Sequence, residues 1–410
     1  METHLADWIK GTPDGIEAES ILRTCVHCGF CNATCPTYQL LGDELDGPRG
    51  RIYQIKQVLE GHAPTRSTQL HLDRCLTCMN CETTCPSGVR YGRLLDFGRA
   101  VVAAQVPRPT GQRIHRDLLR FVLTRRWLFD PAVRIGRAIR PLLPAALRAK
   151  LPASRVSGAA PRRTHARRVL LLNGCVQPAL MPSIDAATMR VLDAVGVEAI
   201  VVPRSGCCGA IDYHLGANDA ARAKARRNVD AWWPHIERGV EAIVANASGC
   251  GAMVKDYAHL LRDEPAYAGR AKRVAELTRD PAEFLASFVE ILKSRATPAT
   301  AASTPRIAFH PPCTLQHTQK LRGATESVLT ALGAELVPIA DAHLCCGAAG
   351  TYALLQPRLS ARLRKDKLDN LERAKPELIL SANIGCLAHL ETGSDIPVRH
   401  WIEWIDSRLG

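Results

Sequence analysis

The stretch Cys25-Val-His-Cys28-Gly-Phe-Cys31-Asn-Ala-Thr-Cys35-Pro36 returns fifty residues later as Cys75-Leu-Thr-Cys78-Met-Asn-Cys81-Glu-Thr-Thr-Cys85-Pro86. Both runs read C-x2-C-x2-C-x3-C-P. Three thiolates at this spacing reach three corners of one Fe4S4 cube, and the fourth, past a longer step braced by proline, points away and ligates the other cube. The expected ligand sets are therefore Cys25, Cys28, Cys31 and Cys85 for one [4Fe-4S] cluster, and Cys75, Cys78, Cys81 and Cys35 for a second. Structural zinc usually takes two separated C-x2-C pairs rather than four cysteines in one run. Disulfides suit a secreted chain, and the segment Met1 to Ser20 carries acids, Gly and Pro instead of a basic stretch followed by an apolar one.

The chain has 410 residues, enough for two to four domains, and its apolar fraction of 46% is that of an ordinary globular protein. Sixteen cysteines are not ordinary. No stretch approaches ~18 uninterrupted apolar residues, so no spanning helix is expected, and reduced thiols point to the cytoplasm. The net charge of +13 is unevenly placed. Between Arg108 and Arg168 stand sixteen Lys/Arg and two acids, Asp117 and Asp130, which leaves the remainder at −1.

Residues 1–105 read as a two-cluster ferredoxin-type domain, helical because the insert between Cys35 and Cys75 carries helical patterns at Gly50 to Glu60 and Thr68 to Arg74. Arg49 and Arg51 either steady a cluster's negative charge or lie in a solvated loop. Residues 106–165 form a basic segment. Ile114, Leu118, Phe121 and Val122 share one helical face, with Arg113, Arg116 and Arg120 on another, and Pro131, Pro141, Pro144 and Pro152 are expected to cut the rest into short helices. Such pieces suit an anionic membrane surface, an acidic partner protein, or a plain solvated linker. Nucleic acid is not expected beside redox cysteines.

The remaining chain repeats. Cys175, the Cys207-Cys208-Gly209 triplet and Cys250 recur as Cys313, Cys345-Cys346-Gly347 and Cys386. Strand patterns at Arg168 to Leu172, Val197 to Val202 and Glu241 to Ala245 alternate with helical ones at Ala186 to Val195 and Asp219 to Trp232. The second copy has strands at Arg306 to His310, Glu335 to Ile339 and Glu377 to Ser381, with helices at Ala324 to Leu332 and Leu359 to Arg373. Alternation of this kind means parallel sheets. The fold class is thus α+β and multidomain: a helical ferredoxin domain followed by two repeated, doubly wound α/β lobes, residues 166–296 and 306–410, joined by Thr297 to Pro305. The cysteines of each lobe fall just past the carboxyl ends of strands, where such sheets place ligands. Cys207 and Cys208 point to opposite faces unless they lie on a turn, which Gly209 permits. Cys175, Cys207, Cys208 and Cys250 are one candidate further cluster set, and Cys313, Cys345, Cys346 and Cys386 another. Burial as small hydrophobes is the plainer alternative.

Two ferredoxin runs followed by two CCG lobes resemble, over essentially the whole chain, the iron-sulfur subunit of glycolate oxidase (glycolate dehydrogenase), a member of the CCG-domain family. The carrying stretches begin at Cys25 (CVHCGFC…CPTYQLLGDELDGPRGRIY), at Ser248 (SGCGAMVKDY) and at His343 (HLCCGAAGTYAL). The corresponding iron-sulfur component of anaerobic glycerol-3-phosphate dehydrogenase shares the architecture and matches these stretches less well. The resemblance implies two FAD-type partner subunits that oxidise glycolate, often D-lactate too, to the 2-oxo acid. It further implies that this chain carries electrons away, on the cytoplasmic side of the inner membrane, toward quinone. The CCG-bearing component of heterodisulfide reductase is a more distant relative whose last cysteine belongs to a C-x2-C; Met253 and His389 stand at the equivalent positions. That departure argues against disulfide-cleaving chemistry and leaves a cubane or a vestigial site.

The resulting expectation is an electron-transfer subunit of a flavin-dependent 2-hydroxy-acid dehydrogenase, since no Gly-rich dinucleotide fingerprint is present. A D-lactate- or glycerol-3-phosphate-linked subunit is the nearest alternative, and a cluster-containing nucleic-acid-binding protein the distant one. His214, His310, His317 and His343 lie near the CCG cysteines in sequence and are candidate proton donors to a reduced quinone.

Overall fold

A computed structural model describes residues 1–144, 151–152, 155–161, 163–297 and 305–409. Contacts divide the chain into two units: residues 1–117 with 343–367, and residues 118–342 with 368–410.

The first unit is helical. Pro13–Thr24 opens with a Thr12 cap and delivers the chain to Cys25. Pro48–Leu59 and Tyr91–Gln105 pack across each other through Ile52, Ile55, Leu59, Leu94, Leu95 and Val102. Gly98 permits the close crossing, because a Cβ there would come within 2.6 Å of Ile55. The two expected insert helices lie at Pro48–Leu59 and Arg66–Asp73.

The second unit holds two four-stranded parallel sheets. In the first, β1 (Arg167–Leu171), β2 (Val197–Ile200), β3 (Ala242–Val244) and β4 (Thr278–Arg279) run in the order β2-β1-β3-β4. In the second, β5 (Arg306–His310), β6 (Glu335–Leu336), β7 (Leu378–Ser381) and β8 (Val398–His400) run in the order β6-β5-β7-β8. The central strands are buried apolar runs, as parallel sheets covered on both faces require. The fourth strand of each sheet escapes sequence patterning because two or three residues are too few to show a period. Trp232, Val229, Tyr257 and Val274 fill the core over the first sheet.

The lobes meet at the segments leaving their central strands. Ser248 N–H donates to Ala382 O at 3.1 Å, and Gln319 Nε2 donates to Ser248 O at 3.0 Å. His400 is buried at this junction: its Nε2–H donates to Asn246 O at 2.9 Å and its Nδ1 accepts from Ile402 N–H at 3.2 Å. Burial pushes its pKa down to about 4 against a smaller opposing pull from Glu403. The unfolded chain therefore binds the proton first, so stability present above about pH 6.5 is lost as pH falls toward 4. Acidification across that window is expected to remove up to about 3 kcal/mol, at 1.36 kcal/mol per unit. In chemical denaturation, His400→Gln should flatten this part of the pH profile.

The basic segment forms the helices Thr110–Leu123 and Arg126–Ala138. Pro131 stands inside the second helix rather than ending it, at the cost of one backbone hydrogen bond in the helix interior. Of the expected apolar face, Ile114, Leu118 and Phe121 are exposed and Val122 is half-buried; Trp127, Ile135, Ile139 and Leu142 further along are exposed too. Arg116 instead turns inward to Asp73 at 2.9 Å, and Arg120 to Asp212 at 3.3 Å. Arg148, Lys150, Arg162 and most of the tract expected to link the lobes lie outside the described residues. Among the described residues, no helix is long and apolar enough to cross a membrane.

Candidate metal centres

Each ferredoxin-type run bends its backbone in the same two places. His27 and Gly29 in the first, Thr77 and Met79 in the second, all have positive φ, between 52° and 86°. Successive side chains of an extended strand diverge, and these left-handed residues turn the thiols toward a common point. Gly29 adopts that geometry freely, whereas Met79 accepts strain of order 1 kcal/mol. Short helices Phe30–Ala33 and Asn80–Thr84 then carry each run to its last cysteine. The Thr34 and Thr84 hydroxyls, fifty positions apart, bond each other at 2.9 Å across the duplicated motif.

The fold brings the cysteines together in crossed fashion. One cavity is lined by Cys25, Cys28, Cys31 and Cys85, and a second by Cys35, Cys75, Cys78 and Cys81, with Cys81 standing between the two. Burial, together with its neighbours Cys25 and Cys85, pushes the Cys31 thiol up to about 11. Burial likewise raises Cys25, Cys35 and Cys81. Buried thiols crowded this closely hold their protons unless a cation draws them off as thiolates. Donors are already aimed at one sulfur: Thr77 N–H lies 3.4 Å and Tyr91 Oη 3.5 Å from Cys75 Sγ. This donor set fits a thiolate-ligated cluster better than a disulfide. Cys28 is exposed, with exposed Val26 and Phe30 two residues to either side. Arg49 pairs with Glu44 at 2.6 Å, and Arg51 is fully buried instead of lying in a solvated loop.

In the first lobe Cys175 follows β1, Cys207 and Cys208 follow β2, and Cys250 lies in the helix Ser248–Lys255 after β3. Their thiols act on one another in the order Cys175, Cys207, Cys208, Cys250. Cys207 is pushed well down, first by its bonds to Cys175 and Cys208 and further by the Lys224 ammonium. Cys175 and Cys208, as the donors, are pushed up. The turn is held from behind: Asn228 Nδ2 donates to Cys207 O at 3.1 Å, and Tyr257 Oη donates to Cys208 O at 2.8 Å. Gly209, at φ 92°, completes it. Asp212 ties down Lys224 and accepts from Arg120, a pairing sequence patterning had no means to find.

The second lobe is less uniform. Cys313 and Cys386 lie in the second unit, past β5 and β7, with Asn383 Nδ2 at 3.6 Å from Cys386 Sγ. The Cys345-Cys346-Gly347 turn belongs to the first unit. Gly347 N–H lies 3.4 Å from Cys345 Sγ, and Ser360 Oγ donates to Gly347 O at 2.7 Å. A Cβ on Gly347 would meet Ser360 O at 2.7 Å, so only glycine fits that turn. Within the same unit Asn80 Nδ2 donates to His343 O at 3.2 Å, and the Cys75 and Cys345 thiols both act on the buried Tyr352 hydroxyl. Of the four histidines, His310 and His317 are buried, His343 is half-buried and His214 is exposed.

Residues 21–89 match the family model of the 4Fe-4S dicluster domain, and residues 169–255 and 307–391 each match that of the Cysteine-rich domain, CCG. The chain is 53% identical to the "Glycolate oxidase iron-sulfur subunit" of Escherichia coli (strain K12), over 100% of this chain and 99% of that one. It is 29% identical to the "Probable glycolate oxidase iron-sulfur subunit" of Bacillus subtilis (strain 168), over 92% of this chain and 89% of that one. "Lactate utilization protein A" of Exiguobacterium sp. is 26% identical over 57% of this chain and 95% of its own. Two cysteine-lined cavities in the helical unit, two CCG lobes in register and a match running end to end agree: the chain belongs to the family of glycolate oxidase iron-sulfur subunits.

Proposed function

We propose that this chain is the electron-transfer subunit of a glycolate-oxidising dehydrogenase whose flavin is carried by two partner subunits. The observation that carries the reading is the end-to-end identity with a glycolate oxidase subunit, joined to eight cysteines grouped four and four around two cavities. Cys25, Cys28, Cys31 and Cys85 would hold one [4Fe-4S] cluster, and Cys75, Cys78, Cys81 and Cys35 the other. Clusters held there supply one-electron storage between a two-electron donor and a downstream acceptor. The exposed Cys28 and its apolar neighbours Val26 and Phe30 present the first site to the flavin subunits. Tyr352 and the Asn80–His343 bond connect the surroundings of the second site with the Cys345 turn. Quinone is the proposed final acceptor, and a membrane surface the proposed location.

The lobe-1 set of Cys175, Cys207, Cys208 and Cys250 is proposed as a third centre, on the strength of four cysteines gathered past the ends of β1, β2 and β3 around the Gly209 turn. Cys313, Cys345, Cys346 and Cys386 are the proposed fourth set, by repetition. The decisive measurement is iron and acid-labile sulfide per anaerobically reconstituted chain. Two cubanes hold about eight irons, and more than that is expected here. A value that stays near eight, with Cys208→Ser spectroscopically silent, would remove the CCG centres and leave the ferredoxin pair. Mixing the protein with its flavin partners and adding glycolate should reduce the clusters by EPR. Reduction by D-lactate alone would instead favour the lactate-linked reading, which the shorter similarity to the lactate utilization protein supports.

A further inference from the structure

The first unit buries a charged cluster beside the second four-cysteine cavity. Arg51 is fully buried, and its fork is spent in three directions: Nε on His71 O at 2.8 Å, Nη1 on Thr37 Oγ1 at 3.2 Å, and Nη2 on Asp46 Oδ1 at 3.4 Å. Thr37 Oγ1 stands 3.3 Å from Cys35 Sγ and 2.9 Å from Asp46 O. Asp46, equally buried, also meets Arg74 at 2.7 Å and lies 3.1 Å from His71 Nδ1. Two guanidinium groups therefore face one carboxylate; Arg74 keeps 27% of its side chain in solvent, whereas Arg51 is buried and lines the second cavity with Cys35 and Cys75. A buried cation without a full counter-charge is stable only if something anionic completes it. A thiolate-ligated cluster is that anion.

The first cavity is furnished differently. Its nearby guanidinium, Arg49, is neutralised by Glu44 at 2.6 Å and is about a third exposed, so solvent screens the pair. The Met1 amine donates to Cys25 O at 2.8 Å and is only part-buried.

We propose that Arg51, relayed to Cys35 through Thr37, is the residue that sets the reduction potential of the second ferredoxin-type site above that of the first. The inference rests on Cys35, Cys75, Cys78 and Cys81 ligating a cluster. Arg51 favours the more negative, reduced state because its charge is held in a low-dielectric interior. The Thr37 hydroxyl accepts from Arg51, and its one proton is shared between Asp46 O and the Cys35 sulfur 3.3 Å away. Electrons entering at the exposed Cys28 side are thereby drawn inward.

The test is an EPR-monitored potentiometric titration of both clusters, with iron content measured on every preparation. Arg51→Gln should lower the second cluster's potential by at least a tenfold change in its one-electron equilibrium, 59 mV, and leave the first cluster unmoved. Arg51→Lys should restore most of the loss, and so should Arg51→Gln combined with Asp46→Asn, which removes both charges together. Thr37→Val, which leaves every charge in place, should shift the same cluster the same way by less. An iron-replete Arg51→Gln with unchanged potentials, or one that moves both clusters equally, overturns the proposal. Should Arg51→Gln fail to load iron, Thr37→Val decides, and an unshifted potential there overturns it. A parent protein without two ferredoxin-type clusters overturns the ligand assignment itself, which iron analysis detects before any titration.

Discussion

Cys35→Ser is expected to abolish or alter the cluster held by Cys75, Cys78 and Cys81, and to leave the cluster of its own sequence neighbours intact. Cys35 lines the cavity of Cys75, Cys78 and Cys81, while Cys85 lines that of Cys25, Cys28 and Cys31. The cause is local: Pro36 opens the helix Pro36–Leu41, and Cys35 stands at its start with Thr37 and Asp46 O against the sulfur. A serine oxygen in that place is a hard and poorly ionised ligand, so the site should lose its cluster or show a displaced EPR signal. Beside Cys75→Ser, the same one of the two ferredoxin-type signals should change. If Cys35→Ser instead reproduced Cys25→Ser, the crossed ligation would be wrong and each run would hold its own cube.

The second large effect is expected at the outward-facing helices Thr110–Leu123 and Arg126–Ala138. Trp127 is 69% exposed and Ile135 61%, side chains that a solvated linker has no reason to display together. Exposed Arg113, Arg125 and Arg134 accompany them, and Arg125 lies over the Phe121 ring at 4.2 Å. Such a face suits an anionic bilayer, where each arginine contributes about 1 kcal/mol and apolar side chains enter the interface. Arg116 and Arg120 are unsuitable targets, because Asp73 and Asp212 depend on them. Changing Arg113, Arg125 and Arg134 to Glu is expected to weaken sedimentation with anionic vesicles by about 3 kcal/mol, on the order of a hundredfold. Trp127→Ser should weaken it on neutral vesicles as well. Iron content should not change in either variant. Binding that ignores both variants and added salt would reject the membrane, and weakened capture by the flavin partners instead would assign this face to them.

The sequence alone established the duplicated cysteine runs, the crossed ligand sets as an expectation, and the two α/β lobes. These are legible because they rest on short-range rules: thiol spacing within a dozen residues, and the alternation of strand and helix periods. Strand positions such as Arg306–His310 agree to the residue. Tertiary structure decided what no local pattern encodes. A heptad-like row of apolar residues says that a helix has an apolar face, not which way that face turns; here Asp73 and Asp212 draw Arg116 and Arg120 inward, and Ile114, Leu118 and Phe121 go out. The burial of Arg51 was equally hidden, because its partners Asp46, Thr37 and His71 lie 5, 14 and 20 positions away along the chain. The same holds for Lys224 beside Cys207: electrostatic environments are sums over neighbours in space, and chain order does not list them.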